Sequence, residues 1–392
     1  MRVLLTVPSL SPAFGGPPVV AAALRDGLEA LGHEVEVLGC GDGSLPVLTR
    51  FHGTPVPSRW KPILRAVELA DVVHVLGYRD PVGTAAALAA TRRGVPLVVE
   101  PLGMHRTRLR SVGLKAGFDR LLGDRLLRKA VAIVATSRLE AAELVEDGVL
   151  AARIHVRPNG VGASASLPLP PRGGLRGRLD IPMDAPVVLS LGRITAKKGL
   201  LDLVEALSQL PGVFAVVAGP SDPADGTLRR VTRRARAISV FDRVRLIPKG
   251  LWGLDKAQAF ADADCFCLPS ATENFGMAAA EAAAAGVPAV VSDRCGVAEW
   301  LEPEATRVVP YGSVNLLARA LADVVGDPRV SRCAQEEADR VRRTLEWGAL
   351  SRLQSAIYEG AVDGKRQSGR PFATVLVDPG QSPKPASRGI RW

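Results

Sequence analysis

Two carboxylates, Glu273 and Glu281, stand eight residues apart in Ser270-Ala-Thr-Glu-Asn-Phe-Gly-Met-Ala-Ala-Ala-Glu281. The stretch reads as a loop, a helix start and an alanine-rich helix. Glu273 then falls in the loop and Glu281 in the second turn of the helix. A helix N-terminus carries unpaired N–H groups and a partial positive charge, so it attracts phosphate. One acid before that pole and one behind it suit a diphosphate flanked by hydroxyl-bearing groups, as in a sugar nucleotide. The plainer alternative is two acids that merely favour the helix dipole.

Two further features bear on an anion. Leu191-Gly192-Arg193 ends one apolar run, and Lys197-Lys198-Gly199 opens the next helix. Arginine offers a bidentate fork and lysine a mobile point charge. Converging on one diphosphate, Arg193 and Lys198 would form a clamp that stabilises charge on a leaving group. Otherwise they are two solvated cations. Gly15-Gly16 follows the first apolar run and precedes a helix after Pro17-Pro18. Lacking Cβ atoms, the pair lets backbone approach a phosphate or sugar, or makes a plain turn. Neither a P-loop nor the G-x-G-x-x-G dinucleotide fingerprint is present. His74, in Val72-Val-His-Val-Leu-Gly77, is open between an acceptor contact and an ordinary half-buried histidine. His105 follows Pro101-Leu-Gly-Met104 and is a second candidate for the cleft.

These residues must be held by alternating short apolar runs and helical patterns. Val3–Val7, Glu34–Leu38, Val72–Leu76, Leu97–Glu100, Ala132–Ala135 and Ile154–Arg157 read as strands of one sheet. Val187–Leu191, Phe214–Ala218, Val244–Ile247, Cys265–Leu268, Ala289–Ser292 and Arg307–Val309 read as strands of a second. Strands apolar throughout and separated by helices predict parallel sheets covered on both faces. The chain divides into a first α/β domain over 1–165, a Pro/Gly hinge over 166–185 and a second α/β domain over 186–344. A helix over 345–361 and a basic, disordered tail over 362–392 complete it. In open parallel sheets ligands bind beyond the carboxyl ends of the strands, which here means a cleft between the domains.

In their order along the chain, these parts resemble the retaining GT-B glycosyltransferases of family four. The resemblance covers residues 1 to 361. It rests on Gly15-Gly16, Pro158-Asn-Gly-Val161, Gly192-Arg193 with Lys198-Gly199, the Glu273-x7-Glu281 element and Gly286-Val-Pro288. Ala135-Thr-Ser137 with Leu139-Glu140 also fits. The resemblance implies two Rossmann-like doubly wound domains facing across a cleft, with the C-terminal helix returning to the first. It implies transfer of a sugar from a nucleotide-diphosphate donor, a UDP- or GDP-sugar, with retention at the anomeric carbon. Arg193 and Lys198 would hold the diphosphate. Glu273 would bind the transferred sugar, with amides at Asn274, Phe275 and Gly276, and Glu281 would bind the ribose. Gly15, Gly16 and Gly192 would line the donor side, and no metal or other cofactor is implied. A front-face mechanism is favoured, in which the leaving phosphate helps deprotonate the acceptor. Leu102 stands where many members carry a histidine, so His105 gains no role from the resemblance. The rival classes are a non-catalytic sugar-nucleotide-binding homologue and a GT-B epimerase or phosphorylase.

Bulk properties set the surroundings. The chain has 392 residues, net charge +10, 47% hydrophobic and 4% aromatic residues. That length permits two domains with aliphatic cores, and the charge suits phosphorylated ligands or anionic surfaces. No basic run interleaved with aromatics appears, so nucleic acid is not expected. Five cysteines in no metal-ligand pattern, and no leader or run of about 18 apolar residues, predict a cytoplasmic protein without a membrane span. Arg106 to Lys129 carries eight basic residues against Asp119 and Asp124, interleaved with leucines. It suits peripheral contact with anionic lipid or a lipid-linked acceptor, or else is a solvated face over an ordinary core helix. The acceptor itself is left open among a glycan, a lipid-linked saccharide and a small metabolite.

Overall fold

Unbroken apolar runs become central strands because both of their faces are covered. The first sheet takes β1 (Arg2–Ser9), β2 (Glu34–Cys40), β5 (Val72–Leu76), β6 (Leu97–Glu100), β7 (Ala132–Ala135) and β8 (Ile154–Val156). A separate antiparallel hairpin, β3 (Val47–Phe51) with β4 (Thr54–Pro57), lies between β2 and β5 in the chain. The second sheet takes β9 (Val187–Leu191), β10 (Phe214–Ala218), β11 (Val244–Ile247), β12 (Cys265–Leu268), β13 (Ala289–Ser292) and β14 (Thr306–Val309). Spatial orders are β2-β1-β5-β6-β7-β8 and β11-β10-β9-β12-β13-β14, parallel throughout. The computed structural model describes residues 1–11, 14–41, 45–51, 54–77, 79–103, 123–162 and 168–366.

Period-two alternation sorts each strand between two cores. Val3 and Leu5 face one core with Val72, Val98 and Val134, while Leu4 faces the other with Val73, Val75 and Ile133. In the second sheet Val187 and Leu189 face one way, and Val188, Cys265 and Cys267 the other. Both cysteines are therefore small core residues. Among the described residues no helix is long and apolar enough to cross a membrane.

The C-terminal helix, Trp347–Arg366, returns to the first domain. Ile357, Tyr358 and Ala361 are buried in the core that holds Val3 and Leu5. A Cβ on Gly27, in the helix Gly16–Glu29, would overlap Ser351, so glycine permits the two helices to touch. The helix runs past the expected boundary at 361 because Val362 still packs on the same core. The remainder of the expected tail, and most of the basic segment 106–129, lie outside the described residues; the helix Asp124–Lys129 is described.

The Pro/Gly stretch also differs from an open hinge. It contains the short helix Gly174–Arg178. The Asp262 carboxylate accepts from the N–H groups of Gly173, Leu175 (2.6 Å) and Arg176 (3.1 Å), capping that helix from a distant element.

Candidate functional site

In the second sheet the chain order reverses at β9, so the loops after β9 and β12 diverge and open a crevice at their carboxyl ends. The two loops are stitched together, since Ala271 donates its N–H to the Lys197 carbonyl at 2.8 Å. Gly192 has φ 144°, a region that favours glycine, and a Cβ there would sit 3.3 Å from Lys198 Cε. Across this junction Lys198 Nζ pairs with Glu273 Oε2, both side chains being largely buried.

The Glu273 loop is fixed by backbone pairing. Glu273 N–H donates to the Arg294 carbonyl (2.9 Å), and its own carbonyl accepts from Gly296 N–H (3.0 Å). Phe275 is buried and accepts from Val297 N–H at 2.7 Å. Gly276, at φ 105°, turns the chain into the helix Met277–Ala284. Burial alone would raise the Glu273 pKa, but Lys198, Lys197 and Arg193 together hold it below the ordinary carboxylate range. Lys197 feels the reverse contest. Glu273 favours its charge, yet burial with Lys198 and Arg193 beside it leaves its pKa below the usual lysine value. Three cations thus surround one carboxylate.

The first domain reaches the same place. A Cβ on Gly15 would lie 3.9 Å from Arg193 Nε, and one on Gly16 3.8 Å from Met277 Sδ. Gly15, Gly16, Gly192, Arg193, Lys198 and Glu273 are therefore brought to one junction, with Asn274, Phe275 and Gly276 in the same loop. Glu281 lies on the helix behind it, buried, with Oε1 2.6 Å from Lys256 Nζ. Among the described residues no three or more His, Cys, Asp or Glu side chains are grouped to hold a metal ion.

Two histidine expectations end differently. His105 lies outside the described residues. His74 is not in the cleft: it is fully buried, with Nδ1 2.7 Å from the Tyr358 hydroxyl and Nε2 3.5 Å from Glu100 Oε2. The returning helix covers the strand end that sequence alone leaves open, and burial lowers the His74 pKa.

Two participants escape a sequence reading. Lys256 sits in the first turn of the helix Gly253–Asp262 and meets Glu281 only through the fold. Glu140 was noted only as part of a motif, yet its Oε1 accepts from Asn274 Nδ2 at 2.7 Å, joining the two domains. No local signal pairs residues so far apart in sequence.

Residues 173–341 match the family model described as Glycosyl transferases group 1, and residues 15–160 match the Glycosyl transferase 4-like domain. A protein of Xylanimonas cellulosilytica named D-inositol 3-phosphate glycosyltransferase is 33% identical over 319 residues, covering 76% of this chain and 74% of its own. A Mycobacterium bovis protein of the same name is 30% identical, covering 79% of this chain and 68% of its own. Among solved structures, Anabaena HepE in complex with UDP and glucose superposes with a TM-score of 0.73 at 18% identity, covering 92% of this chain and 99% of that one. Sucrose-phosphate synthase of Thermosynechococcus elongatus gives 0.70 at 21% identity, covering 91% and 98%. These likenesses establish the fold as GT-B, two Rossmann-like domains.

Proposed function

We propose a donor, a mechanism and an acceptor class for this chain, which belongs to the Glycosyl transferases group 1 family. The donor is a nucleoside-diphosphate sugar, UDP- or GDP-linked. The observation that carries this is the cluster of Arg193, Lys197 and Lys198 around Glu273, faced by Gly15 and Gly16. Three cations beside one acid leave an excess of positive charge, which suits a diphosphate. In this reading Arg193 and Lys198 hold the diphosphate and the amide pole of the helix Met277–Ala284 supports it. Glu273 accepts from hydroxyls of the transferred sugar, and Glu281, aimed by Lys256, accepts from the ribose.

Donor binding then redistributes a charge pair. Lys198 is already committed to Glu273, and an incoming diphosphate gives it a second anion. Glu273 is left free to accept sugar hydroxyls while the lysine neutralises the leaving group. The bond from the anomeric carbon to the diphosphate oxygen breaks, and the acceptor oxygen bonds to that carbon on the same face. The departing phosphate oxygen takes the acceptor proton, giving retention. In this reading Glu273 is occupied in accepting from the sugar hydroxyls rather than attacking the anomeric carbon, which supports this front-face course over a covalent intermediate. The fixed cations supply the charge stabilisation, so turnover should persist in EDTA.

The acceptor is a hydroxyl on a glycan, a lipid-linked saccharide or a metabolite. Relatives named D-inositol 3-phosphate glycosyltransferase make a phosphorylated polyol the first acceptor to test. Peripheral contact with anionic lipid at the cytoplasmic face is part of the same proposal, and flotation with anionic vesicles at low salt tests it. The decisive experiment is a thermal-shift screen of UDP-, GDP-, ADP- and dTDP-sugars, followed by nucleotide release with and without acceptor. A stabilising donor that turns over, giving a retained anomer by NMR, supports the proposal. Saturable binding without turnover would make the chain a binding module instead.

A further inference from the structure

One helix end carries a set of contacts between the domains that the proposed chemistry does not use. The helix Arg138–Glu146 begins against the second domain. Glu140 Oε1 accepts from Gly103 N–H and from Asn274 Nδ2, each at 2.7 Å. Its Oε2 accepts from the N–H and hydroxyl of Thr136, each at 2.8 Å. In return, the second domain's Glu299 accepts the Arg138 N–H at 2.7 Å. Glycines let the domains close to this distance. A Cβ on Gly103 would overlap the Asn274 amide, and one on Gly296 would overlap the Asn274 carbonyl and Ser137. Asn274 is therefore seated in a first-domain socket, one residue from Glu273.

We propose that Glu140 is a positioning residue whose ionised carboxylate grips Asn274 and sets Glu273 for transfer only when the first domain is docked. This rests on the proposed function of the Glu273 loop. Four donors converge on the two carboxylate oxygens, so an added proton must displace one of them. Burial raises the Glu140 carboxyl to about 7, and Glu100, at the end of β6 and tied to Arg157, adds to that. Among the described residues, the remaining charged groups at this helix end are Arg138 and Glu299, while Thr136, Gly103 and Asn274 are neutral. Protonation below that pH removes one acceptor and loosens the hold on the Asn274 amide, while the domains stay docked because the buried site itself favours the protonated form.

The test compares wild type with Glu140→Gln, Asn274→Ala and the double variant. The wild-type kcat/KM should rise through one ionisation near pH 7. Glu140→Gln, which keeps the shape and loses an acceptor, should lower kcat/KM about tenfold at pH 8, the scale of one hydrogen bond to a buried charge. It should also abolish the pH limb, while leaving nucleotide Kd within about twofold. Asn274→Ala should cost as much, and the double variant no more than either single, because both remove the same contact. Small-angle scattering supplies a readout independent of activity: the variants, which lose the contact between the domains, should show a larger radius of gyration than wild type at pH 8. If wild type turns over and Glu140→Gln matches it in rate, pH profile and radius, the inference is overturned and the proposed function stands. If wild type turns over no nucleotide sugar, that function fails, and unchanged radii in the variants would still overturn the grip.

Discussion

Lys198 and Glu273 show how much chemistry one ion pair can hold in readiness. The pair aims both side chains into the crevice before any ligand arrives, and the proposed donor then divides it. Removing either end should have different consequences. Glu273→Ala should remove most turnover while UDP or GDP affinity stays nearly intact by calorimetry, because the nucleotide contacts lie elsewhere. Arg193→Ala and Lys198→Ala should each lower kcat about 10²-fold, the scale of losing one donor to transition-state charge. Lys256→Met should weaken nucleotide binding about tenfold with little change in kcat, since it acts through Glu281. The acidic pair was legible because its positions before and within a helix follow from seven intervening residues and a glycine. Lys256 was not, because its distance from Glu281 is set by how the helix Gly253–Asp262 packs on β9 and the helix Met277–Ala284 on β12 and β13.

At the scale of elements, the strands and most helices followed from the apolar rhythm, which is local. The failures share a different cause. Gly174-Leu-Arg-Gly-Arg178 has poor helix propensity, and it is helical because Asp262, from another helix, accepts its leading N–H groups. A buried acid at 1% exposure that satisfies several amides has no substitute nearby. Asp262→Ala should therefore cost about 1–3 kcal/mol in urea unfolding. For a domain of this size that lowers Tm by several degrees. An unchanged Tm would mean that the short helix is held by Leu175 and Arg176 alone. The β3–β4 ribbon was missed for a related reason: among the described residues it pairs only with itself, and Pro55 and Pro57 argue against strand.

At the scale of the whole molecule, the first domain is completed by the last described helix through a buried polar network. Arg157 pairs with Glu100 and with Gln354 Oε1 (2.8 Å), while His74 meets Tyr358, all out of solvent. Burial keeps the His74 pKa below that of an unfolded histidine near 6.5, so the folded chain holds it neutral. Its contribution to stability is full above about pH 6.5 and declines as pH falls, because the unfolded chain then binds the proton. Glu140 runs the other way, with a raised folded pKa whose stabilising contribution is full below about pH 4.5 and is lost as pH rises through about 7. Urea titrations from pH 7.5 to 5.5 should show the histidine limb in wild type and its loss in His74→Gln. Arg157→Met, which strands the Glu100 charge, should cost about 3–5 kcal/mol in the same assay. The alternation of apolar runs announced two sheets, and the family resemblance, not the alternation, announced that the final helix would return to the first.

That helix imposes a schedule on biosynthesis. The last strand of the first sheet leaves the ribosome when β8 is made, but Tyr358 and Ala361 are translated only after the whole second domain. At about 10 residues per second the delay is on the order of 20 s. Throughout it, an aliphatic patch beside the helix Gly16–Glu29 faces water on the nascent chain. A fragment cut before Trp347 keeps that patch permanently uncovered, so it should behave as a chaperone client or precipitate, whereas a stop codon placed after Arg366 should spare solubility.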